Sequence, residues 1–232
     1  LNLTDQQARR LRALGGVKSV EADAAVFLEP TIPGASANTQ QQAAETSALA
    51  TFKDSTFSGT AEIQPWGVGA VWQNEDIRER GNFGETSYAF VIDSGLRSDT
   101  GDLNLAPLDW HQSWVADGPL TDGNGHGTHV AGTIGALIND RGVIGVAPGA
   151  QMVSLKVFDD SGAGGSYISI IAAIEHAVEQ ITSNGLAGKA VINMSLGGSF
   201  SSSLDTAVKE AAQLGIPVVV AAGNDGRDAD SY

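Results

Sequence analysis

Short apolar runs rich in β-branched residues alternate with helical segments from residue 87 of this 232-residue chain onward. Runs without polar alternation are typical of strands that are buried on both faces of a parallel sheet. Four runs are of this kind: SYAFVID, QMVSLKVF, KAVINMSL and IPVVVAAG. Three segments between them predict helices: HGTHVAGTIGAL, SYISIIAAIEHAVEQI and SSLDTAVKEAAQL. The alternation predicts an α/β fold, a mainly parallel sheet flanked by helices on both faces.

The amino-terminal part of the chain has a different pattern. Residues 4–14 predict a short helix, because Thr4 and Gln7 have the spacing of a capping box. The stretch VKSVEADAAVFL alternates loosely and predicts one or two strands. Residues 30–60 are rich in Thr, Gln, Ser and Ala with little periodicity, which indicates a linker.

The composition narrows the classes of partner and chemistry. Asp and Glu number 27 against 13 Lys and Arg, for a net charge of −14. A negative field repels phosphate groups, so we expect no nucleic-acid partner. The chain has no cysteine, which excludes disulfides, thiolate catalysis and zinc–thiolate sites. It has no apolar run of 18 residues, and we expect no membrane span.

Two polar residues stand where predicted strands end. Asp93 closes SYAFVID, and Asn224 follows the run IPVVVAAG. In open α/β sheets ligands bind at the carboxyl ends of the strands, which makes both residues candidates for a site. Taken singly, each has an alternative interpretation as a turn residue.

His126 opens a predicted helix that is interrupted by glycines. Zinc-binding histidines on one helix usually lie at i and i+4, whereas His126 and His129 lie at i and i+3, which speaks against zinc. We expect His129 to pack against the sheet. Gly132 and Gly135 each weaken a helix by about 1 kcal/mol relative to alanine, so they predict a helix that lies close to another backbone.

An acid that orients, a histidine that moves protons and an amide that meets an oxyanion make up most of an acyl-transfer site. Four motifs carry a resemblance in the same order: YAFVIDSG, GHGTHVAGTIG, VINMSLGG and VVVAAGNDG. With them the chain resembles the subtilisin-like serine proteases (subtilases, peptidase family S8) from about Pro65 to its last residue. Residues 1–28 also resemble the end of a subtilase propeptide.

The resemblance implies a role for each of the three polar residues. Asp93 would orient His126 and support its charge. His126 would act as general base and then as general acid. Asn224 would donate its side-chain amide to the oxyanion.

The resemblance also implies a peptide-binding cleft. Main-chain groups would pair with a polypeptide substrate in extended conformation, as in the addition of a strand to a sheet. One edge of this cleft would be formed by Ser195, Leu196 and Gly197, and the facing rim by Gly162 and Gly164.

A structural Ca²⁺ is a further implication. Oxygen ligands suit this cation, and the loop after the His helix matches the family pattern without a gap. Side chains of Asp102 and Asn139 would bind it, with Glu62 in place of a family amide. Backbone carbonyls would come from Leu137, Arg141 and Val143.

The implied organisation has three parts. Residues 1–29 would be a small α+β propeptide remnant that acts as an intramolecular inhibitor. Residues 30–60 would be a linker with the processing point, and residues 61–232 an incomplete peptidase domain. By resemblance, the protein would be secreted.

The nucleophile of the family stands in a Gly-Thr-Ser-Met-Ala motif, and this sequence contains no such motif and no G-x-S-x-G elbow. Ser94 and Ser195 belong to other motifs. We therefore expect a fragment that is inactive alone and that exposes apolar surface on one side of its sheet. A pseudoprotease or peptide-binding module is the alternative, and an Asp/His metallohydrolase is a third possibility.

Overall fold

A computed structural model of the chain describes residues 4–13, 17, 19–28 and 62–224. The predicted linker, residues 30–60, lies outside the described residues, and so do residues 225–232.

Five strands form a parallel sheet in the described part of the chain. Numbered in chain order with the other strands, they are β2 (Tyr88–Asp93), β3 (Gln112–Ser113), β4 (Gln151–Lys156), β5 (Ala190–Met194) and β7 (Val218–Val220). Their order across the sheet is β3-β4-β2-β5-β7. Two short strands, β1 (Phe27–Leu28) and β6 (Leu196–Gly197), form a separate antiparallel pair. The four predicted runs each contain a strand of the parallel sheet, and β3 was not predicted.

Five α-helices accompany the strands within the described residues. They are α1 (Asp5–Arg12), α2 (Trp66–Val71), α3 (His126–Gly135), α4 (Tyr167–Ser183) and α5 (Ser202–Gln213). The three helices predicted between strands are confirmed, as is the capping box of Thr4 and Gln7 that begins α1. Of the helices described, none is long and apolar enough to cross a membrane.

The apolar core lies on both faces of the sheet. Alternate residues of β2 point to opposite sides: Phe90 belongs to a cluster with Ile170 of α4, and Val91 to a cluster with Ala131 of α3. Each fully buried large side chain of this kind contributes about 1.5–3 kcal/mol. The layered arrangement confirms the predicted α/β fold with helices on both faces.

Strand β7 differs from its neighbours in burial. Val219 and Val220 are 52% and 57% exposed, whereas β2 and β4 are buried except at their first residues. The exposed valines lie on the outermost strand of the sheet, beside β5. Apolar surface is thus exposed at this edge, as the sequence led us to expect.

Candidate active site

The end of β2 meets the beginning of α3 through a buried hydrogen bond. Nδ1 of His126 lies 2.7 Å from Oδ1 of Asp93, which also accepts a bond of 2.7 Å from the backbone N–H of Ser94. Asp93 is 0% exposed and His126 is 7% exposed. A carboxylate only accepts hydrogen bonds, so the imidazole carries its proton on Nδ1, and in the neutral ring the lone pair is then on Nε2.

Glycines make this close contact between strand and helix possible. A Cβ atom at Gly127 would lie 2.3 Å from the carbonyl oxygen of Gly95 and 3.1 Å from Cβ of Asp93. A Cβ at Gly95, where φ is +108°, would lie 2.1 Å from the carbonyl oxygen of Thr121. Both distances to oxygen are far below van der Waals contact, so only glycine fits at these two positions.

The predictions for the other residues of α3 are partly confirmed. Gly135 lies close to its neighbours as predicted, because a Cβ there would be 2.9 Å from the carbonyl oxygen of Ala147. The same prediction for Gly132 was wrong, since nothing lies within 4 Å of the corresponding position. The packing of His129 against the sheet was also wrong, because this residue is exposed.

Asp122 fixes the first turn of α3 to the end of β2. Its Oδ1 accepts from Ser94 Oγ at 2.9 Å and from the Gly125 N–H at 2.8 Å. Its Oδ2 accepts from the N–H and Oγ1 of Thr128 at 2.9 and 2.6 Å. Ser94 Oγ in turn accepts from the Gly127 N–H at 3.0 Å. A carboxylate is favourable at a helix amino terminus, where N–H groups lack partners.

The sequence analysis did not identify Asp122. The sequence pattern that could have identified it is an aspartate three residues before Gly125, the N-cap of α3. An aspartate at this distance can accept hydrogen bonds from the N–H groups of the first turn. The ring of His126 is thus held by Asp93, and its backbone is held by the contacts around Asp122.

The chain's own residues 24–28 pair with backbone segments at the two predicted edges of the cleft. Phe27 and Leu28 pair antiparallel with Gly197 and Leu196. On the other side the Val26 N–H donates to the Gly165 carbonyl at 2.9 Å, with an antiparallel bridge between Ala25 and Ser166. Residues 24–28 therefore lie as a strand between two backbone edges.

The predicted substrate residues lie around this strand. Leu196 and Gly197 pair with it directly, and Ser195 immediately precedes them. Gly162 and Gly164 have φ values of +83° and +93° in the loop before Gly165, and a Cβ at Gly162 would lie 3.7 Å from Cδ1 of Leu28. The contact of these residues with a substrate stays a prediction.

Asn224 lies beyond the carboxyl end of β7. Because β2, β5 and β7 are parallel, this end is at the same edge of the sheet as Asp93 and Ser195. The backbone before it turns at Gly223, where φ is +83°. Its role as oxyanion donor stays a prediction.

The residues predicted to bind Ca²⁺ form a connected cluster. Asn139 Nδ2 donates to Asp102 Oδ1 at 2.9 Å, and the Asn139 N–H donates to Glu62 Oε1 at 2.6 Å. The Leu137 N–H donates to the Asp102 carbonyl at 3.0 Å. Val143 forms a parallel bridge with Ile63, the residue after Glu62. Arg141 donates from its guanidinium to the Gly101 carbonyl.

Two properties of this cluster fit a cation. Oδ1 of Asn139 is buried and has no hydrogen-bond partner among the described residues. Burial raises the pKa of Asp102, because it removes water from the charged carboxylate, and a cation beside the carboxylate would offset that cost. No three His, Cys, Asp or Glu side chains group as metal ligands in the part described, so amide and carbonyl oxygens would have to contribute.

Comparisons with known proteins match this chain to subtilases. A profile described as the subtilase family matches residues 84–232. Subtilisin DY of Bacillus licheniformis is 42% identical over 168 residues, 72% of this chain and 57% of the relative. Subtilisin-like protease 2 of Pseudogymnoascus destructans is 39% identical over 172 residues, 72% of this chain and 40% of the relative. Thermostable alkaline protease of Halalkalibacterium halodurans is 34% identical over 232 residues, 99% of this chain and 52% of the relative.

The chain belongs to the subtilase family, a family of serine proteases. It spans about half the length of the relatives that it matches.

Proposed function

We propose that this chain provides the Asp–His part of a serine endopeptidase site, and that a serine nucleophile outside these 232 residues completes it. The observation that carries the proposal is the buried 2.7 Å bond between Nδ1 of His126 and Oδ1 of Asp93. A carboxylate held against Nδ1 fixes the tautomer in which Nε2 accepts a proton. A module that only binds peptides needs no such pair.

In the proposed reaction Nε2 of His126 takes the serine hydroxyl proton as the serine oxygen attacks the peptide carbonyl carbon. Asp93 stabilises the imidazolium that forms. The side-chain amide of Asn224 donates to the oxyanion of the tetrahedral intermediate. His126 then gives its proton to the leaving amine. A water molecule attacks the acyl carbonyl carbon in the second half of the reaction, while His126 takes a proton from the water and returns it to the serine oxygen, which leaves.

The substrate would be a polypeptide in extended conformation. Residues 24–28 support this proposal, because they lie as a strand between Gly165 and Leu196–Gly197. Main-chain hydrogen bonds of this kind hold any sequence, while side-chain pockets add preference. Ser195, Gly162 and Gly164 would border the same cleft.

The amino-terminal residues would act as an intramolecular inhibitor, because their docked strand takes the place of a substrate. Further contacts support this docking. Glu21 accepts hydrogen bonds from the side chains of Ser201 and Ser202, and Asp23 accepts from the Ile168 N–H at 3.2 Å. The family resemblance further leads us to expect a secreted protein.

A structural Ca²⁺ would be held by the side chains of Asp102, Asn139 and Glu62, with carbonyl oxygens of Leu137, Arg141 and Val143. The buried Oδ1 of Asn139 supports this proposal. When bound, the cation would offset the negative charge of the two carboxylates and fix the loop after α3. It would take no part in the proton transfers.

A fluorophosphonate probe and a chromogenic peptide test the proposal. The 232-residue chain should be neither labelled nor active, while the product of a longer reading frame should be labelled at a serine. His126→Ala in the longer product should abolish labelling, and His129→Ala should leave it intact because His129 is exposed. Labelling of the short chain, or a longer product without a reactive serine, would contradict the proposal. The second outcome would favour a peptide-binding module.

A further inference from the structure

A fully buried lysine lies beside the Asp93–His126 pair. Lys156 is the last residue of β4 and stands opposite Asp93 in the parallel register. Its side chain is 0% exposed. Burial of an ammonium group costs several kcal/mol of free energy unless hydrogen bonds and opposite charge compensate it. The groups that contact Nζ of Lys156 therefore have to provide this compensation.

Three oxygen atoms surround the ammonium group. Nζ donates to the carbonyl of Ser94, to the carbonyl of Thr121 at 3.3 Å and to Oδ1 of Asp160 at 2.9 Å. Ser94 directly follows Asp93, and Thr121 lies in the loop that leads into His126. Two of the three N–H donors of lysine thus bind the chain segments that carry Asp93 and His126, and the third binds Asp160.

Asp160 extends these contacts to the surface. Its side chain is 47% exposed, and its Oδ1 also accepts from the Gly123 N–H at 2.9 Å. Hydrogen bonds from Gly123 and Lys156 lower the pKa of Asp160, which keeps it charged. Asp160 belongs to the loop that also contains Gly162 and Gly164, the predicted rim of the cleft.

The packing at this position favours lysine over other residues. A Cβ at Gly95 would lie 3.1 Å from Cδ of Lys156, so the methylene chain passes directly beneath the turn after Asp93. The planar guanidinium of an arginine is bulkier than this compact ammonium group. An apolar side chain would leave the buried carbonyl groups without this donor.

We propose that Lys156 is a positioning residue, which holds the Asp93–His126 hydrogen bond in register and couples the cleft rim to it through Asp160. Its catalytic meaning rests on the proposed function. The effect of Lys156 on the Asp93–His126 hydrogen bond does not rest on the proposed function, because this bond is present in the 232-residue chain.

Proton NMR of the 232-residue chain tests the proposal. The proton between Nδ1 of His126 and Asp93 should give a resonance far downfield, assigned by its loss in His126→Gln. Lys156→Met, which keeps the length of the side chain without the charge, should shift this resonance upfield or abolish it. Lys209→Met is the matched control, because Lys209 is 71% exposed and contacts Asp205 at 3.3 Å on the surface of α5.

Asp160→Ala is a second variant at a half-exposed position, and it leaves the bonds from Lys156 to the two carbonyls in place. It should shift the resonance in the same direction by a smaller amount. Near-UV circular dichroism reports whether each variant folds. A folded Lys156→Met chain with the resonance unchanged overturns the proposal, even if its melting temperature falls. If Lys156→Met does not fold, an unchanged resonance in Asp160→Ala overturns it.

The experiment separates this proposal from the proposed function. If no serine nucleophile exists, the proposed function fails but the NMR resonance is still observed. If Lys156 does not affect the Asp93–His126 bond, this proposal fails but the longer product can still be labelled by the fluorophosphonate.

Discussion

One oxygen of the Asp122 carboxylate accepts two hydrogen bonds from Thr128, at 2.9 Å from its backbone N–H and 2.6 Å from its Oγ1. Asp122 is only 5% exposed. The pair fixes the third residue of α3 to the loop before it, two positions after His126. The backbone on either side of His126 is thus fixed by one buried carboxylate.

Asp122→Ala should lower the free energy of unfolding by about 2–3 kcal/mol, because it removes hydrogen bonds to a charged group and leaves part-buried donors unpaired. Urea denaturation measures the change. Asp205→Ala is the control: this aspartate lies in the first turn of α5, but its side chain is 52% exposed. We expect a change of at most about 0.5 kcal/mol there. Equal losses in both variants would contradict the assigned role of Asp122.

Gly127→Ala should destabilise the chain by about 1–3 kcal/mol and disturb the Asp93–His126 bond, because the added methyl group collides with the Gly95 carbonyl. Gly132→Ala in the same helix should instead stabilise the chain by about 0.5–1 kcal/mol, since its position is open. Thermal unfolding of the two variants gives the comparison. The opposite signs are the prediction, and two changes of the same sign would refute it.

Docking of the amino-terminal residues should depend on pH through Glu21. Hydrogen bonds from Ser202 and Ser201 lower the pKa of Glu21 to about 2 from an ordinary value of 4.5. A carboxyl group with a lowered pKa stabilises the docked state above pH 4.5, and this contribution is lost as pH falls through 2. The stability difference between the native chain and Glu21→Gln should therefore shrink between pH 5 and pH 2. A difference that stays constant over this range would contradict the prediction.

His111 should make the fold sensitive to mild acid. Its Nδ1 accepts from the Ser154 N–H at 2.8 Å and its Nε2 contacts the Ala106 carbonyl at 3.1 Å, so the buried ring is neutral. Burial lowers its pKa below the ordinary 6.5. The contribution of His111 to the free energy of unfolding is fully present above pH 6.5. It is lost as pH falls toward the lower pKa of the folded state, because in this range only the unfolded chain takes up the proton.

His111→Phe should accordingly flatten the fall in stability below pH 6.5. His129→Phe should leave the fall unchanged, since that residue is exposed. Guanidinium titrations at several pH values provide the measurement. An unchanged pH profile in His111→Phe would show that other groups cause the acid sensitivity.

Added Ca²⁺ should raise the melting temperature of the chain. A ligand at 100 times its dissociation constant stabilises the folded state by about 2.7 kcal/mol. Asp102→Asn should reduce this gain, while Asp99→Asn should not, because Asp99 is 68% exposed and contacts Arg97. Melting curves with Ca²⁺ and with a chelator give the melting temperatures of the native chain and of both variants. A chain whose melting temperature ignores Ca²⁺ would contradict the proposed site.

The sequence predicts those features that depend on local pattern. The end of β2 at Asp93, the beginning of α3 at His126 and the capping box at Thr4 follow from periodicity and capping chemistry. The pairing of Asp93 with His126 needed the family resemblance in addition, because the two residues are 33 positions apart.

Other features depend on contacts between distant segments, which no local pattern contains. Lys156 at the end of a strand would ordinarily be interpreted as a surface residue, and only the fold brings Ser94, Thr121 and Asp160 around it. Gly132 and Gly135 have the same local signal in α3, yet only Gly135 meets another backbone. Strand β3 has two residues, too few to show a period.

Residues 24–28 are part of the same molecule as the two backbone edges between which they lie. A tethered segment can have an effective concentration of about 1 mM, whatever the concentration of the protein. A peptide added in solution must compete with a segment at that effective concentration before it binds between the two backbone edges. Dilution of the intact protein will therefore not vacate the cleft, whereas after a cut between the segment and the sheet the occupancy will depend on the protein concentration.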